Sequence, residues 1–196
     1  MPQICAIILA AGESRRMGTN KLLLPFRGQA MIHRVIDNAR QAGIEHILIV
    51  LGAFRDELLP LLEGLPVRHC YNGNYQNGML SSVQCGLQNL PAGMDAVILF
   101  LGDQPMIPGE VALLLMKEYE KSKKGIMVPV YMGKRGHPVL IDTKYSQAIE
   151  TLDQAEGLRA LLRAFAGDVR EVAVDLPEIL RDIDDVNDYT HEITIK

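Results

Sequence analysis

The chain has 196 residues, 48% of them apolar and 22% charged. That suits one globular domain and excludes disordered, collagen-like and fibrous classes. The net charge of −4 and the absence of a long Lys/Arg run exclude an extended basic stripe for nucleic acid; Lys121, Lys123 and Lys124 read as a solvated helix end.

Along the chain, residues 4–10 form a short apolar run that ends in Ala-Gly and predicts a buried strand. Ile32, Val35, Ile36 and Ala39 recur at helical spacing, and Gly43 stops that helix. Residues 47–51 predict a second buried strand, and the segment after Leu51 offers little chemistry. A third strand fits residues 67–71. A helix fits residues 81–90, with Ser81 or Ser82 as its cap and Pro91 beyond its end. Residues 96–101 predict a fourth strand. Val111, Leu114, Leu115 and Tyr119 line one helical face. Residues 126–130 predict a strand interrupted by Pro129, and 131–140 a Gly-punctuated turn between two short strands. Leu158, Leu161, Leu162 and Phe165 mark a further helix, and residues 169–174 alternate as a late strand.

Near-continuous apolar strands separated by helices imply an α/β fold with a mostly parallel sheet covered on both faces. Ligands of such sheets bind beyond the carboxyl ends of the strands. Polar, Gly-rich segments follow Ala10, Tyr71 and Leu101. The three cysteines, Cys5, Cys70 and Cys85, fit neither zinc nor CxxC spacing, so a reducing compartment is expected. Residues 4–11 lack the flanks of a secretory leader, and 96–101 are too few to span a bilayer. The expectation is a cytoplasmic protein.

The loop after the first strand, Leu9-Ala10-Ala11-Gly12-Glu13-Ser14-Arg15-Arg16-Met17-Gly18-Thr19-Asn20-Lys21, combines small residues with three cations. Small residues let a backbone approach a ligand, successive N–H groups cradle anions, and Arg and Lys complete a phosphate site. It is not a P-loop, because Thr19 and Asn20 separate Gly18 from Lys21, and the G-x-G-x-x-G dinucleotide fingerprint is missing. An ordinary turn with solvated cations is the plain alternative. In the segment 72–82, backbone groups at Gly78 and the Ser82 hydroxyl could read a pyrimidine edge; a loop with a helix cap needs no ligand. Asp103 directly follows the fourth strand, where it could hold Mg²⁺ against phosphates or serve only as a turn residue. The tail supplies Asp182, Asp184, Asp185 and Asp188.

The first loop resembles the L-A-A-G-x-S-x-R-M-G-x-x-K signature of MobA-like nucleotidyltransferases, through Leu9, Ala10, Ala11, Gly12, Ser14, Arg16, Met17, Gly18 and Lys21. Similar motifs recur at Gly78-Met79-Leu80-Ser81-Ser82, Gly102-Asp103-Gln104-Pro105, Arg135-Gly136-His137-Pro138-Val139 and Asp182-Ile183-Asp184. The resemblance implies a Rossmann-like three-layer α/β/α sandwich of the nucleotide-diphospho-sugar transferase type, spanning residues 1–196. Residues 1–105 or so would bind nucleotide, and 106–196 would bind the acceptor and complete the metal site. It implies nucleotide contacts from Leu9, Ala10, Ala11, Gly12, Ser14, Arg16, Lys21, Gly78, Ser82 and Asp103. Arg16 would hold the β/γ-phosphates and Lys21 the α-phosphate. Asp103 and Asp184 would bind Mg²⁺, and Arg135 and His137 the acceptor.

The Ala-Ala-Gly form resembles the CTP-using branch, which joins CMP to a molybdenum-bearing pterin phosphate; a molybdenum hydroxylase is then a candidate recipient of the product. Two departures stand out. Asp185-Val186 replaces Thr-Pro, which should alter the local turn, with Asp188 then expected to cap the last helix. Gln154-Ala155 replaces a Gly-Asp ahead of Arg159. The alternatives are a transferase for another sugar- or alcohol-phosphate and a non-catalytic cofactor carrier. An NAD-dependent oxidoreductase conflicts with the missing glycine fingerprint.

Overall fold

A computed structural model describes residues 2–194. The first apolar run is β1 (Ile4–Ala10). A small antiparallel ribbon follows, β2 (Pro25–Phe26) and β3 (Gln29–Ala30), leading into α1 (Met31–Gln41). Then come β4 (His46–Leu51), α2 (Arg55–Leu62), β5 (Arg68–Tyr71) and α3 (Met79–Gln88). Next are β6 (Ala96–Leu101), α4 (Gly109–Lys121) and β7 (Ile126–Tyr131). The chain ends with β8 (Lys134–Arg135), β9 (Val139–Asp142), α5 (Ser146–Glu150), α6 (Leu158–Ala164), β10 (Val169–Ala173) and α7 (Val186–Thr194).

The main sheet has the order β10-β7-β9-β6-β1-β4-β5, with β8 added to β7. β1 runs parallel to both β4 and β6, and β9 is antiparallel to β6 and β7. The sheet is therefore mostly parallel, as expected. Alternation along β1 divides the core. Ala6, Ile8 and Ala10 face a layer that includes Ile32, Leu58 and Leu115, from α1, α2 and α4. Cys5 and Ile7 face a layer that includes Val83, Ile149 and Leu161, from α3, α5 and α6. Three layers result, and each sheet face is dry because each is apolar.

Several boundaries differ from the sequence reading for local reasons. The strand at 126–130 is not interrupted by Pro129. The Pro129 carbonyl accepts from Gly136 N–H at 2.9 Å, while the β9 ladder ends at Met127 and the β8 ladder begins at Val130. Proline thus sits in a gap where no donor is needed. Helix α2 was not expected, because its pattern is short and holds Pro60. The second strand of the 131–140 turn, β9, enters the sheet between β6 and β7 instead of forming a peripheral hairpin.

The segment after Leu51 shapes the first loop by packing. A Cβ on Gly52 would lie 2.5 Å from the Ala11 carbonyl oxygen and 2.7 Å from Ala11 Cβ. That same carbonyl accepts from Ala53 N–H at 3.2 Å. Only glycine lets β4 end this close to the turn that leaves β1. Gly52→Ala is expected to lose about 1–3 kcal/mol of stability through overpacking, read as a lower urea midpoint at unchanged slope. Equal midpoints would mean that the two strand ends can separate freely.

Candidate active site

Parallel register brings the carboxyl ends of β1, β4 and β6 level. Ala10 pairs with Leu51, and Leu9 with Leu101. The loop from Ala11 to Asn20 and the turn at Gly102-Asp103 leave that edge side by side, with Gly102 N–H donating to the Leu9 carbonyl at 3.0 Å. Ser14 and Gly18 adopt positive φ, 46° and 67°. Ser14 Oγ accepts from Lys21 N–H at 3.3 Å, folding the loop back on itself. Asn20 caps the short turn that follows by accepting from Leu22 N–H at 3.2 Å, so Lys21 opens a fixed element. Gly12 is exposed, with open space where its Cβ would be. A ligand backbone or phosphate has room there.

The tail reaches this edge through a small separate core. Ile183 is fully buried with Phe26, Met31, Met106, Ile107 and Ile179. Its N–H donates to the Asp103 carbonyl at 3.0 Å. The residues on either side of Ile183, Asp182 and Asp184, are thereby fixed beside Asp103. Asp185 Oδ1 accepts from Asn187 and Asp188 N–H, and Asp188 Oδ2 accepts from Asp184 and Asp185 N–H. This is a capping box in which Asp185, not Asp188, is the N-cap of α7. Asp in place of Thr keeps a capping oxygen, and Val186 takes the first helical position, where proline is also tolerated.

Four of the expected residues meet in one charge cluster. Lys21 Nζ donates to Asp103 Oδ2 at 2.7 Å and to Asp184 Oδ1 at 3.0 Å. Arg16 donates to Asp184 Oδ2 at 2.7 Å. The Lys21 side chain is 12% exposed and that of Arg16 is 68% exposed. Lys21 is therefore the more firmly held cation, and the exposed Arg16 pair is the weaker one. Burial pushes the Lys21 ammonium down, but Asp103 and Asp184 outweigh it and hold it above its ordinary value. Burial likewise pushes Asp184 up, but Lys21 and Arg16 outweigh it and hold the carboxyl below its ordinary value. Asp182 moves the other way, raised by burial and by repulsion from Asp184 and Asp103.

The donor set fits a hard divalent cation. Two carboxylates already share one ammonium, so one positive centre can satisfy both. Mg²⁺ takes one or two carboxylates and leaves its other positions to phosphate oxygens and water. Among the described residues no group of three or more His, Cys, Asp or Glu forms a self-contained metal cage.

The other expected residues are placed less uniformly. Leu9 and Ala10 end β1, and Ala11 is buried against Gly52. Gly78, with φ 97°, is the residue before α3, and no side chain caps that helix. Ser81 and Ser82 lie inside α3 and do not cap it. Both are buried, and both accept from the Asn72 carboxamide, at 2.9 and 3.0 Å. The Ser82 hydroxyl therefore braces the loop in this structure. Asn72 was not singled out from sequence, because an Asn in an Asn/Gly-rich stretch looks like any turn residue. Arg135 is not drawn into the cluster; it is exposed and bonds Glu171 of β10 at 2.8 Å. Burial pushes the His137 imidazole down, with partial opposition from Asp103. Its Nδ1 is buried without a partner, as are Asn20 Nδ2 and Gln104 Oε1. Unpaired buried polar atoms are costly, and Arg34 Nε, Glu178 Oε2 and Arg181 Nε are unpaired as well. Asn20 and Gln104 are the chain neighbours of Lys21 and Asp103.

The chain that builds this edge matches a known domain over most of its length. The model of the MobA-like NTP transferase domain covers residues 6–171. The chain belongs to this family. It is a nucleotidyltransferase. The molybdenum cofactor cytidylyltransferase of Escherichia coli (strain K12) is 29% identical over 191 residues, 96% of this chain and 95% of that protein. Nicotine blue oxidoreductase of Paenarthrobacter nicotinovorans is 27% identical over 172 residues, 83% of each. The crystal structure of Rv0371c from Mycobacterium tuberculosis H37Rv has a TM-score of 0.87 at 27% identity, covering 98% of both chains. A manganese complex of Rv0371c has a TM-score of 0.81 at 26% identity, covering 99% of this chain and 100% of that one. No helix among the described residues is long and apolar enough to cross a membrane.

The cluster has a pH signature. The folded-state carboxyl of Asp184 is lowered, so its pairing stabilises the fold above the unfolded value of about 4 and is lost as pH falls through the lowered folded value. Lys21→Met is expected to be less stable than the native protein at pH 7, with the gap narrowing below about pH 4. Urea unfolding at a series of pH values measures it; a gap that is constant with pH would rule out the ionic account.

Proposed function

We propose that this protein transfers CMP from CTP to the phosphate of a molybdenum-bearing pterin, releasing pyrophosphate and forming the cytosine dinucleotide. The observation that carries the reading is the bridging of Asp103 and Asp184 by Lys21, with Arg16 at the rim. It is an arrangement in which cations and carboxylates balance each other until a polyphosphate arrives. The choice of CTP and pterin rests on the Ala10-Ala11-Gly12 turn and on the name and near-complete overlap of the Escherichia coli relative.

The reaction is an in-line displacement. A phosphate oxygen of the acceptor attacks the α-phosphorus, the bond to the β-phosphate oxygen breaks, and pyrophosphate leaves. Such transfer is governed by positioning and charge. Mg²⁺ held by Asp103 and Asp184 would neutralise the triphosphate and the charge that develops on transfer. Lys21, fixed in place, meets the charge at the α-phosphoryl group, and Arg16 holds the departing pyrophosphate. Gly12 and Ser14 offer the backbone approach to the phosphates. Leu9, Ala10 and Ala11 lie against the nucleoside, and Gly78 with the Ser82-braced loop borders the base. His137, with its unpaired ring nitrogen, and Arg135, once released from Glu171, are assigned to the acceptor. A phosphate is already ionised near neutral pH, so no strong general base is required.

In this reading residues up to about 105 bind nucleotide and the remainder bind the acceptor and complete the metal site. The protein works in the cytoplasm and hands its product to a molybdenum hydroxylase. The competing reading keeps the chemistry and changes the acceptor to another sugar- or alcohol-phosphate.

The deciding experiment is pyrophosphate release from each of the four ribonucleoside triphosphates with Mg²⁺ and molybdenum-loaded pterin phosphate. CTP alone should support release. Release from another triphosphate would correct the base, and release from none would remove the transferase assignment for this acceptor. Asp103→Asn should lose metal-dependent turnover while remaining folded by circular dichroism. Lys21→Ala should slow turnover at least tenfold, about 1.4 kcal/mol of barrier; an unchanged rate would take Lys21 out of the mechanism.

A further inference from the structure

Two of the three cysteines meet where β5 packs on α3. Cys70 Sγ lies 3.7 Å from Cys85 Sγ, and both are free thiols. The third, Cys5, is fully buried in β1. A disulfide needs its sulfurs about 2.05 Å apart, so closure asks for a displacement of less than about 2 Å.

The pair is reachable from one side. Cys85 is half-buried and lines an open cavity of 330 Å³ with Tyr71, Asn72, Ser81, Gln84 and Gln154. The lining carries amides and hydroxyls and no charged side chain, so it neither repels nor traps a small polar reagent. Cys70 is the inner thiol. Burial, and next its neighbour Cys85, push it up to about 12. Derivatising Cys85 removes that neighbour's contribution, while burial continues to oppose ionisation of Cys70.

The pair is also wired to the loop before α3. Cys70 is two residues before Asn72, and Cys85 three after Ser82. The Asn72 amide donates to Ser81 and Ser82, its carbonyl oxygen accepts from Asn74 N–H at 2.9 Å, and Ser81 Oγ donates to the Gly78 carbonyl at 2.8 Å. This network spans the same β5–α3 gap that a disulfide would narrow. A cross-link that narrows the gap would act on the bonds that hold Gly78.

We propose that Cys70 and Cys85 are a modification site, at which a low-molecular-weight disulfide such as oxidised glutathione closes an intramolecular disulfide that weakens nucleotide binding. Cys85, after losing its proton to solvent, attacks one glutathione sulfur, and one glutathione thiolate leaves. Cys70 then loses its proton to solvent and attacks the Cys85 sulfur of the mixed disulfide, expelling the second glutathione. Two protein thiols are oxidised and one oxidised glutathione is reduced to two thiols. The consequence for binding rests on the nucleotide reading above; the chemistry of the pair does not.

The test equilibrates the full chain with a series of oxidised-to-reduced glutathione ratios. Intact mass and peptide mapping follow the thiols, and calorimetry with each of the four ribonucleoside triphosphates follows binding. The native protein is expected to lose two hydrogens, give a Cys70–Cys85 cross-linked peptide, and bind its triphosphate at least about fivefold more weakly until dithiothreitol restores it. Cys70→Ser should stop at a glutathione adduct on Cys85, and Cys85→Ser should form no cross-link and keep its affinity in oxidant. A native chain that stays a dithiol at every ratio, or a cross-linked chain that binds as the reduced one does, overturns the proposal. A reduced chain that binds no triphosphate removes the functional reading and the proposed consequence with it, while mass alone still judges the cross-link.

Discussion

The central constraint is that β1 has a parallel neighbour on each side. Hydrogen-bonded register with β4 and β6 makes three strands finish at one level, with Ala10 opposite Leu51 and Leu9 opposite Leu101. Each strand must then turn away, and the turns crowd one another. Gly52 and Gly102 relieve that crowding where a side chain would meet Ala11 or the Leu9 carbonyl. The crowding that demands glycine also brings the first loop and Asp103 together. The site is thus a consequence of sheet packing.

The second requirement is a carboxylate from 81 residues further along, and it is met by apolar chemistry. Ile183 is buried in its own small core and tied to the Asp103 backbone. In that extended segment the neighbours of a buried residue point the other way, so Asp182 and Asp184 face the edge. Asp185 begins α7 immediately afterwards, and the capping box holds the backbone of Asp184. Burying Ile183 and capping α7 therefore do electrostatic work indirectly. They hold a negative charge near Asp103 that mutual repulsion would otherwise drive away, and Lys21 makes the arrangement stable without ligand.

Two cations of different exposure complete the balance. Lys21 is nearly buried on a capped turn, while Arg16 lies on a loop whose Ser14 and Gly18 have left-handed backbone. In the proposed reaction the buried charge meets the α-phosphoryl group and the exposed one the departing pyrophosphate. Across the sheet, the Asn72 network gives the loop before α3 a firmness that its Asn/Gly composition does not suggest.

By itself the sequence determined most of the elements and the family. Apolar runs separated by helical periodicity were enough for the strands at 4–10, 47–51 and 96–101, because strands buried on both faces are apolar at every position. The dense loop from Leu9 to Lys21, with its departures from the P-loop and dinucleotide patterns, was enough for the family. Tertiary structure alone decided what lies far apart in the chain or depends on packing. It inserted β9 between β6 and β7, kept Pro129 inside a strand by placing it in a ladder gap, and formed α2 on a pattern too short to read. It made Asp185 the cap of α7, turned Arg135 toward Glu171, and set Cys70 against Cys85. The physical reason is common to these cases. Periodicity and local motifs report which face a residue prefers, whereas partners across the sheet follow from strand order and register, which no local pattern encodes.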